Sequence, residues 1–277
     1  MPTQAEKSQA FVHLHRPGNC FVIPNPWDAG SARLLQHLGF AALASTGAGF
    51  AFSQGRTDLS INARDLLPYL AQLCAASDLP VSADLQNGFG PNPDEAAAAI
   101  VAAAASGVVG GSIEDASGDA AVPIYDIGLA TARIAQAAEA AKSLGFKFML
   151  TARAENYLYD RPDVRDTIAR LQAYQDAGAD VLYAPGITSL ADLKTILAEI
   201  DRPLNVLMGL QGVQLRVAEL ATLGVTRISV GGSMARAAYG ALLRAGQEIM
   251  AEGTFDYAVD AISGKEMNAI FAQAKPD

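Results

Sequence analysis

Pro80-Val81-Ser82-Ala83-Asp84-Leu85-Gln86-Asn87-Gly88 decides the fold. A short strand-like run ends in an acid, and a turn rich in glycine follows, Asn87-Gly88-Phe89-Gly90. The same pattern recurs along the chain. Ala41-Ala42-Leu43-Ala44 runs into Ser45-Thr46-Gly47, Val108-Val109-Gly110-Gly111-Ser112-Ile113 into Glu114-Asp115, and Phe146-Lys147-Phe148-Met149-Leu150-Thr151-Ala152 into Arg153. If these strands are parallel and close into a barrel, their carboxyl ends share one rim, where barrel enzymes build their active sites. Two or three carboxylates and one arginine on that rim suit a hard divalent cation beside an anionic substrate.

Working outward, strand-like runs fall at 20–24, 41–45, 80–84, 108–114, 146–153, 181–184, 204–208 and 226–230. Amphipathic stretches separate them, such as 126–144 and 164–177, where Ile134, Ala137, Ala138 and Ala141 recur at helical spacing. Gly39, Gly107, Gly145, Gly178 and Gly224 fall where left-handed helix stops belong. Asp94 and Glu95 follow Pro93 at a helix start, where carboxylates suit the helix dipole. Eight βα units without a composition break predict one (β/α)8 barrel domain over 1–277. A doubly wound open sheet competes, but no Gly-x-Gly-x-x-Gly follows the first strand. Residues 254–277 form a C-terminal helical tail whose apolar positions include Phe255, Tyr257, Val259, Ile262, Met267, Ile270 and Phe271. Such a tail packs on its own barrel or on a neighbouring subunit, which points to a homo-oligomer.

The 277 residues are a usual length for one such barrel, and 51% apolar residues supply a large core. A net charge of −9 without a Lys/Arg cluster argues against nucleic acid as a partner. No apolar run approaches the roughly 20 residues that cross a bilayer. The start, Met1-Pro2-Thr3-Gln4-Ala5-Glu6, lacks the marks of a signal peptide, so a cytoplasmic location is expected. Cys20 and Cys74 are too few for a disulfide framework or a thiolate metal site.

Asp84 is the leading metal-ligand candidate. Of Glu114 and Asp115 only one can point inward, because strand side chains alternate. Asp58 lies beyond 47–57, a segment rich in Gly and Ser that could fold over the rim. Each acid alone could be a helix cap or a solvated loop acid; at successive strand ends they suggest a shared site. Arg153 could hold a carboxylate or phosphonate in two-point contact, or pair internally with Glu155 or a rim acid. Ser45, Thr46 and Gly47 could offer hydroxyls and amide N–H groups to an anion, or form an ordinary turn. Ser229-Val230-Gly231-Gly232-Ser233 opens a helix after the eighth strand, where barrels often bind phosphate. Its alternative is close strand–helix packing. His13, His15 and His37 lie at no strand end, which argues against a histidine-ligated metal or a catalytic triad.

These residues resemble the isocitrate lyase/phosphoenolpyruvate mutase superfamily. The likeness is carried by Pro24-Asn25-Pro26-Trp27-Asp28-Ala29-Gly30-Ser31-Ala32-Arg33, Asp84 with Gly88-Phe89-Gly90, Ile113-Glu114-Asp115, Thr151-Ala152-Arg153 and Arg227-Ile228-Ser229. It implies a (β/α)8 barrel that uses Mg2+ to hold a 2-oxo acid or its enolate. By the resemblance, Asp84 would contact the metal, Glu114 and Asp58 would act through metal-bound waters, and Arg153 with the Ser45–Thr46–Gly47 turn would hold anionic groups. It also implies tetramers that exchange a C-terminal helix.

The departures are informative. The lyase branch carries a Lys-Lys/Arg-Cys-Gly-His loop after the fourth strand; here the stretch is Ala116-Ser117-Gly118-Asp119-Ala120-Ala121-Val122-Pro123. The lyases show Asn-x-Thr-Glu after the seventh strand, where this chain has Leu207-Met208-Gly209-Leu210. Both argue against isocitrate or methylisocitrate cleavage. The lysine and asparagine that phosphonate mutases place after the fourth strand are absent. Gln86 stands where the superfamily carries Asp or Glu, which should weaken Mg2+ binding, although its carbonyl oxygen could still meet a metal water.

The expected function is a Mg2+-dependent lyase or decarboxylase acting on a small 2-oxo carboxylate, such as oxaloacetate. Arg153 anchors the carboxylate, and the loop at 117–122 closes over the site. Arg153→Ala is expected to abolish turnover and spare the fold. Phosphonate P–C chemistry, a non-catalytic ligand-binding barrel and a phosphate-binding isomerase using Gly231 and Gly232 are the alternatives.

Overall fold

A computed structural model describes residues 2–209 and 215–273. Eight parallel strands lie in it: β1 (Phe21–Ile23), β2 (Leu43–Ala44), β3 (Val81–Asp84), β4 (Gly110–Glu114), β5 (Met149–Arg153), β6 (Val181–Tyr183), β7 (Leu204–Leu207) and β8 (Arg227–Ser229). Each lies inside a run expected from sequence. The helices are α1 (Gln4–Leu14), α2 (Ala29–His37), α3 (Gly47–Ser53), α4 (Ala63–Ala76), α5 (Pro93–Ala105), α6 (Ile127–Lys142), α7 (Val164–Asp176), α8 (Leu190–Glu199), α9 (Val217–Thr222), α10 (Ser233–Glu252) and α11 (Gly264–Gln273).

Sequence chemistry explains where the helices start. Asp28 accepts from Ser31 N at 2.6 Å, Asn62 from Asp65 N at 3.1 Å and Asp126 from Leu129 N at 3.0 Å. Each oxygen satisfies a donor that the first helical turn leaves free. The segment at 47–57, rich in Gly and Ser and expected to fold over the rim, opens as a helix, because the Thr46 hydroxyl caps it through Gly49 N at 3.1 Å. At the other ends, Gly39, Gly107, Gly178 and Gly224 take the left-handed conformation, whereas Gly145 does not.

The sheet order is β1-β8-β7-β6-β5-β4-β3-β2, a nearly closed (β/α)8 barrel. Where β1 and β2 lack a ladder, Ala44 N donates to Pro24 O at 3.0 Å. Asn25 reinforces the join: its Nδ2 donates to Ser45 O at 3.0 Å, and its Oδ1 accepts from Val230 N and Gly231 N at 2.9 Å each. One buried amide thus ties the ends of β1, β2 and β8. Beyond α10, a 3-10 turn (Asp256–Asp260) leads to α11, which packs against α2 of its own chain. Residues 274–277 of the expected tail, and Leu210, lie outside the described residues.

The amino end of the barrel is plugged by α1. The Phe11, His15 and Phe21 rings meet edge to face, with centroids 4.7 Å apart for Phe11–His15 and 5.0 Å for His15–Phe21. Burial, and next the charge of Arg227, push the His15 pKa down to about 3. A neutral folded ring and a protonated unfolded one mean that folding releases a proton between pH 6.5 and about 3. Stability is therefore full above pH 6.5 and falls as pH drops, by at most about 1.4 kcal/mol per pH unit from this group. In urea titrations at pH 7 and pH 4.5, His15→Gln is expected to lose less stability on acidification than the wild type. An unchanged difference would overturn this.

Candidate active site

The carboxyl ends of the strands line a cavity of about 480 Å³. Every site residue expected from sequence is on its wall: Ser45, Thr46, Gly47, Asp58, Asp84, Gln86, Glu114 and Arg153. Strand alternation resolves the acid pair as expected. Glu114 faces the cavity, while Asp115 turns away and is buried against α7.

Arg153 organises the rim. Its Nη1 lies 3.1 Å from Asp84 Oδ1 and 2.9 Å from Glu114 Oε2, and its Nη2 lies 2.9 Å from Glu155 Oε1. In this state the guanidinium is thus committed to three carboxylates. The Glu114 pKa is raised by burial, against the pull of Arg153 and with further push from Glu155 and Asp84. Glu155 is raised by burial in the same way. The cluster carries more acid than its one cation balances. Asp58 is raised too, chiefly by burial, and it feels both Asp84 and Arg153.

The Ser45–Thr46–Gly47 turn meets Asp84 directly. Asp84 N donates to Ser45 Oγ at 2.7 Å, and Gly47 N donates to Asp84 Oδ2 at 3.0 Å. A methyl group at Gly47 would sit 3.3 Å from Gln86 Nε2 and 3.4 Å from Asp84 Oδ2, so the Gln86 amide and the Asp84 carboxylate converge on one spot. Gln86 adopts φ 51° and Phe89 φ 65°, left-handed values that non-glycine residues take at a cost. Buried Arg133 on α6 clamps this turn by donating to Asn87 O and Gly90 O, and stacks 4.7 Å from the Tyr125 ring centroid. The amides at 230–231 are committed to Asn25, which favours the packing role for that segment.

Several lining residues were missed from sequence. Glu155 was considered only as a partner for Arg153. Tyr183 and Asn205 reach the cavity from β6 and β7; Arg227 and Ser229 do so from β8, although the sequence pointed to them only through the family resemblance and the phosphate-binding alternative. Their signal was present as polar side chains at alternate positions in otherwise apolar strands.

The donor set suits a hard cation. Asp84, Gln86 and Glu114 offer oxygen, and the acid surplus calls for positive charge. Among the described residues no three His, Cys, Asp or Glu side chains form a metal cage. Mg2+ does not require one, since it keeps several waters and uses one or two carboxylates.

Residues 11–250 match the phosphoenolpyruvate phosphomutase family. The chain belongs to that family, and so to the isocitrate lyase/phosphoenolpyruvate mutase superfamily. It is 55% identical to a solved protein of Burkholderia cenocepacia J2315 described as a candidate lyase/mutase, with TM-score 0.96 over 99% of this chain and 98% of that one. It is 33% identical to the uncharacterized protein Rv1998c of Mycobacterium tuberculosis, over 80% of this chain and 81% of that one. It is also 26% identical to an oxaloacetate decarboxylase of Marinomonas sp., over 92% and 90% of the two chains. The chain is therefore an enzyme of the lyase/mutase kind.

Proposed function

We propose that the protein is a Mg2+-dependent lyase or decarboxylase of a small 2-oxo carboxylate. The observation that carries this is the surplus of buried carboxylate at Asp84, Glu114 and Glu155 around Arg153, beside the Gln86 amide. Asp84, Gln86 and Glu114 would hold the cation, the latter two through its waters. When bound, the cation would supply positive charge to the substrate's carbonyl oxygen as the neighbouring bond breaks. The electron pair of the broken C–C bond would stay on the oxo acid as an enolate, the other fragment would leave as carbon dioxide or a carbonyl compound, and the enolate would take up a proton. The residues around it have separable tasks. Cation binding draws on Asp84 and Glu114, which frees Arg153 to meet the substrate carboxylate while Glu155 keeps it in place. Ser45 and Gly47 hold Asp84. Asp58 at the cavity mouth is the candidate proton carrier through water. The absence of the lysine and asparagine that phosphonate mutases place after the fourth strand favours this reading over phosphonate chemistry, and the oxaloacetate decarboxylase relative is in keeping with it. Among the described residues no helix is long and apolar enough to cross a membrane.

The same proposal includes a homo-oligomer, a dimer or tetramer. On α10 Ala235 is the one buried residue, while Leu242, Leu243 and Met250 are exposed, as are Phe255 and Val259 after it. A second copy could cover this face.

The test is thermal unfolding with Mg2+, with oxalate, and with both. A ligand at about 100 times its Kd adds roughly 2.7 kcal/mol. The expected result is an oxalate shift that requires Mg2+, followed by turnover in a 2-oxo acid screen. No shift under any Mg2+ condition would overturn the reading and favour a non-catalytic binder. Gln86→Glu adds a charged oxygen ligand, so Mg2+ should bind about tenfold more tightly, a gain of about 1.4 kcal/mol. The same change should lower stability without metal, because it adds an acid to a surplus of acids. Calorimetric titration with Mg2+ reads the first effect. Unchanged affinity would remove Gln86 from the metal's surroundings.

A further inference from the structure

The cavity holds two guanidinium groups in opposite circumstances. Arg153 at the rim is matched by three carboxylates. Arg227, on the inner face of β8 and 5% exposed, is matched by none. Its Nε donates to Asn205 Oδ1 at 2.8 Å, its Nη2 donates to Thr151 Oγ1 at 3.0 Å, and its Nη1 faces His15 Nε2 at 3.5 Å.

None of these partners carries negative charge. His15 Nδ1 lies 2.8 Å from Phe11 O, so that nitrogen carries the proton and Nε2 is the bare acceptor. Burial pulls the Arg227 pKa down to about 10, still charged at pH 7, and the Tyr183 phenol is the nearby acid that acts against that shift. Burial raises its own pKa to about 12, so it is neutral at pH 7. Among the described residues no carboxylate lies within ion-pair distance of Arg227. A guanidinium has five N–H groups, and three are engaged here, which leaves two free. A buried cation without a counter-charge is costly, and a protein keeps one where something else supplies the anion. Ser82, Ser112, Asn205 and Ser229 make the surrounding wall polar, where a barrel interior is usually filled by branched apolar side chains.

The geometry points to an anion subsite at the cavity floor, formed by Arg227 with Asn205 and Ser229, that takes a second carboxylate of the substrate. This rests on the reading of the rim as a 2-oxo acid site and narrows it to dicarboxylates. One anionic group lies at the rim with Arg153 and the cation. The other reaches inward to Arg227. Asn205 and Ser229, joined at 2.9 Å, orient the guanidinium and border the seat.

The test compares the binding of succinate, butyrate and oxalate to the full chain by calorimetry, with Mg2+ and with chelator. Oxalate is too short to span both ends and reports on the rim alone. Succinate and butyrate match in length and differ by one carboxylate. Wild type is expected to bind succinate at least about tenfold more tightly than butyrate. Asn205→Asp places a carboxylate against Arg227 Nε without changing the side chain's shape. It should raise the melting temperature and erase the succinate preference, while Mg2+-dependent oxalate binding survives. Arg227→Met should erase the preference as well; if it does not fold, Asn205→Asp alone decides. Equal binding of succinate and butyrate by wild type, or a preference that persists in folded Asn205→Asp, overturns the subsite. A succinate preference that tracks Arg227 without Mg2+-dependent oxalate binding keeps the subsite and removes the 2-oxo acid reading. The reverse pattern does the opposite.

Discussion

Arg153→Ala is expected to abolish turnover and also to destabilise the fold by about 3–5 kcal/mol. The loss of turnover follows from position: the side chain ends β5 and faces the cavity, within 3.1 Å of Asp84 and 2.9 Å of Glu114. The loss of stability goes beyond the expectation from sequence, which took the fold to be spared. Three ion pairs end on this one guanidinium, and its removal leaves Glu114 and Glu155 buried with no opposite charge. Both already bind protons more readily than ordinary carboxylates because of burial, and Arg153 is what pulls them back. In the variant their folded pKa values rise further above the unfolded values. A folded state that holds more protons than the unfolded one loses stability as pH rises through that window. The deficit against wild type should therefore be smaller at pH 5 than at pH 8, as read by urea unfolding. Arg153→Lys keeps the charge but loses the fork, and should recover part of the stability with little of the turnover. Wild-type stability at pH 8 in Arg153→Ala would mean that the three contacts carry no energy.

The barrel could be read from the sequence because several strands announced their own ends and the others alternated with helical stretches. Apolar runs stopped at Asp84, Glu114 and Arg153, and parallel strands put those stops on one rim. The alternation that sends Glu114 inward and Asp115 outward is a property of any strand and needs no tertiary information. What could not be read depends on contacts distant in sequence. Arg227 and Asn205 are 22 residues apart on successive strands, and nothing local shows that they touch. The helical start at Gly47 was hidden because glycines and a serine suggest a loop, whereas the Thr46 cap and the packing of Ala51 make a helix. Gly145 failed as a left-handed stop because α6 ends at Lys142, and the chain turns before the glycine is reached.

Asp115→Ala is expected to cost a further about 3–5 kcal/mol, although the residue never touches the cavity. Its carboxylate accepts three buried donors: Glu155 N at 2.8 Å, Arg170 Nη1 at 3.0 Å and Tyr174 Oη at 2.7 Å. Alanine would orphan Glu155 N and Tyr174 Oη and leave Arg170 Nη1 with Tyr125 O alone, at 2.9 Å. Arg170 would keep Asp166 at 2.8 Å, but that partner is more exposed and sits on the same helix. Tyr174→Phe removes a single donor and should cost only about 1 kcal/mol. The consequence for the site comes through the backbone. Asp115 N donates to Arg153 O at 3.2 Å while its side chain holds Glu155 N, so one residue fixes the chain on both sides of Ala154. Asp115→Asn keeps the shape and loses the charge, so it separates the two effects. If Asp115 positions Arg153 and Glu155, a folded Asp115→Asn should lose about tenfold or more in kcat/KM, or about 1.4 kcal/mol, with its unfolding still cooperative. If it serves packing alone, stability should fall and kcat/KM should stay at the wild-type value.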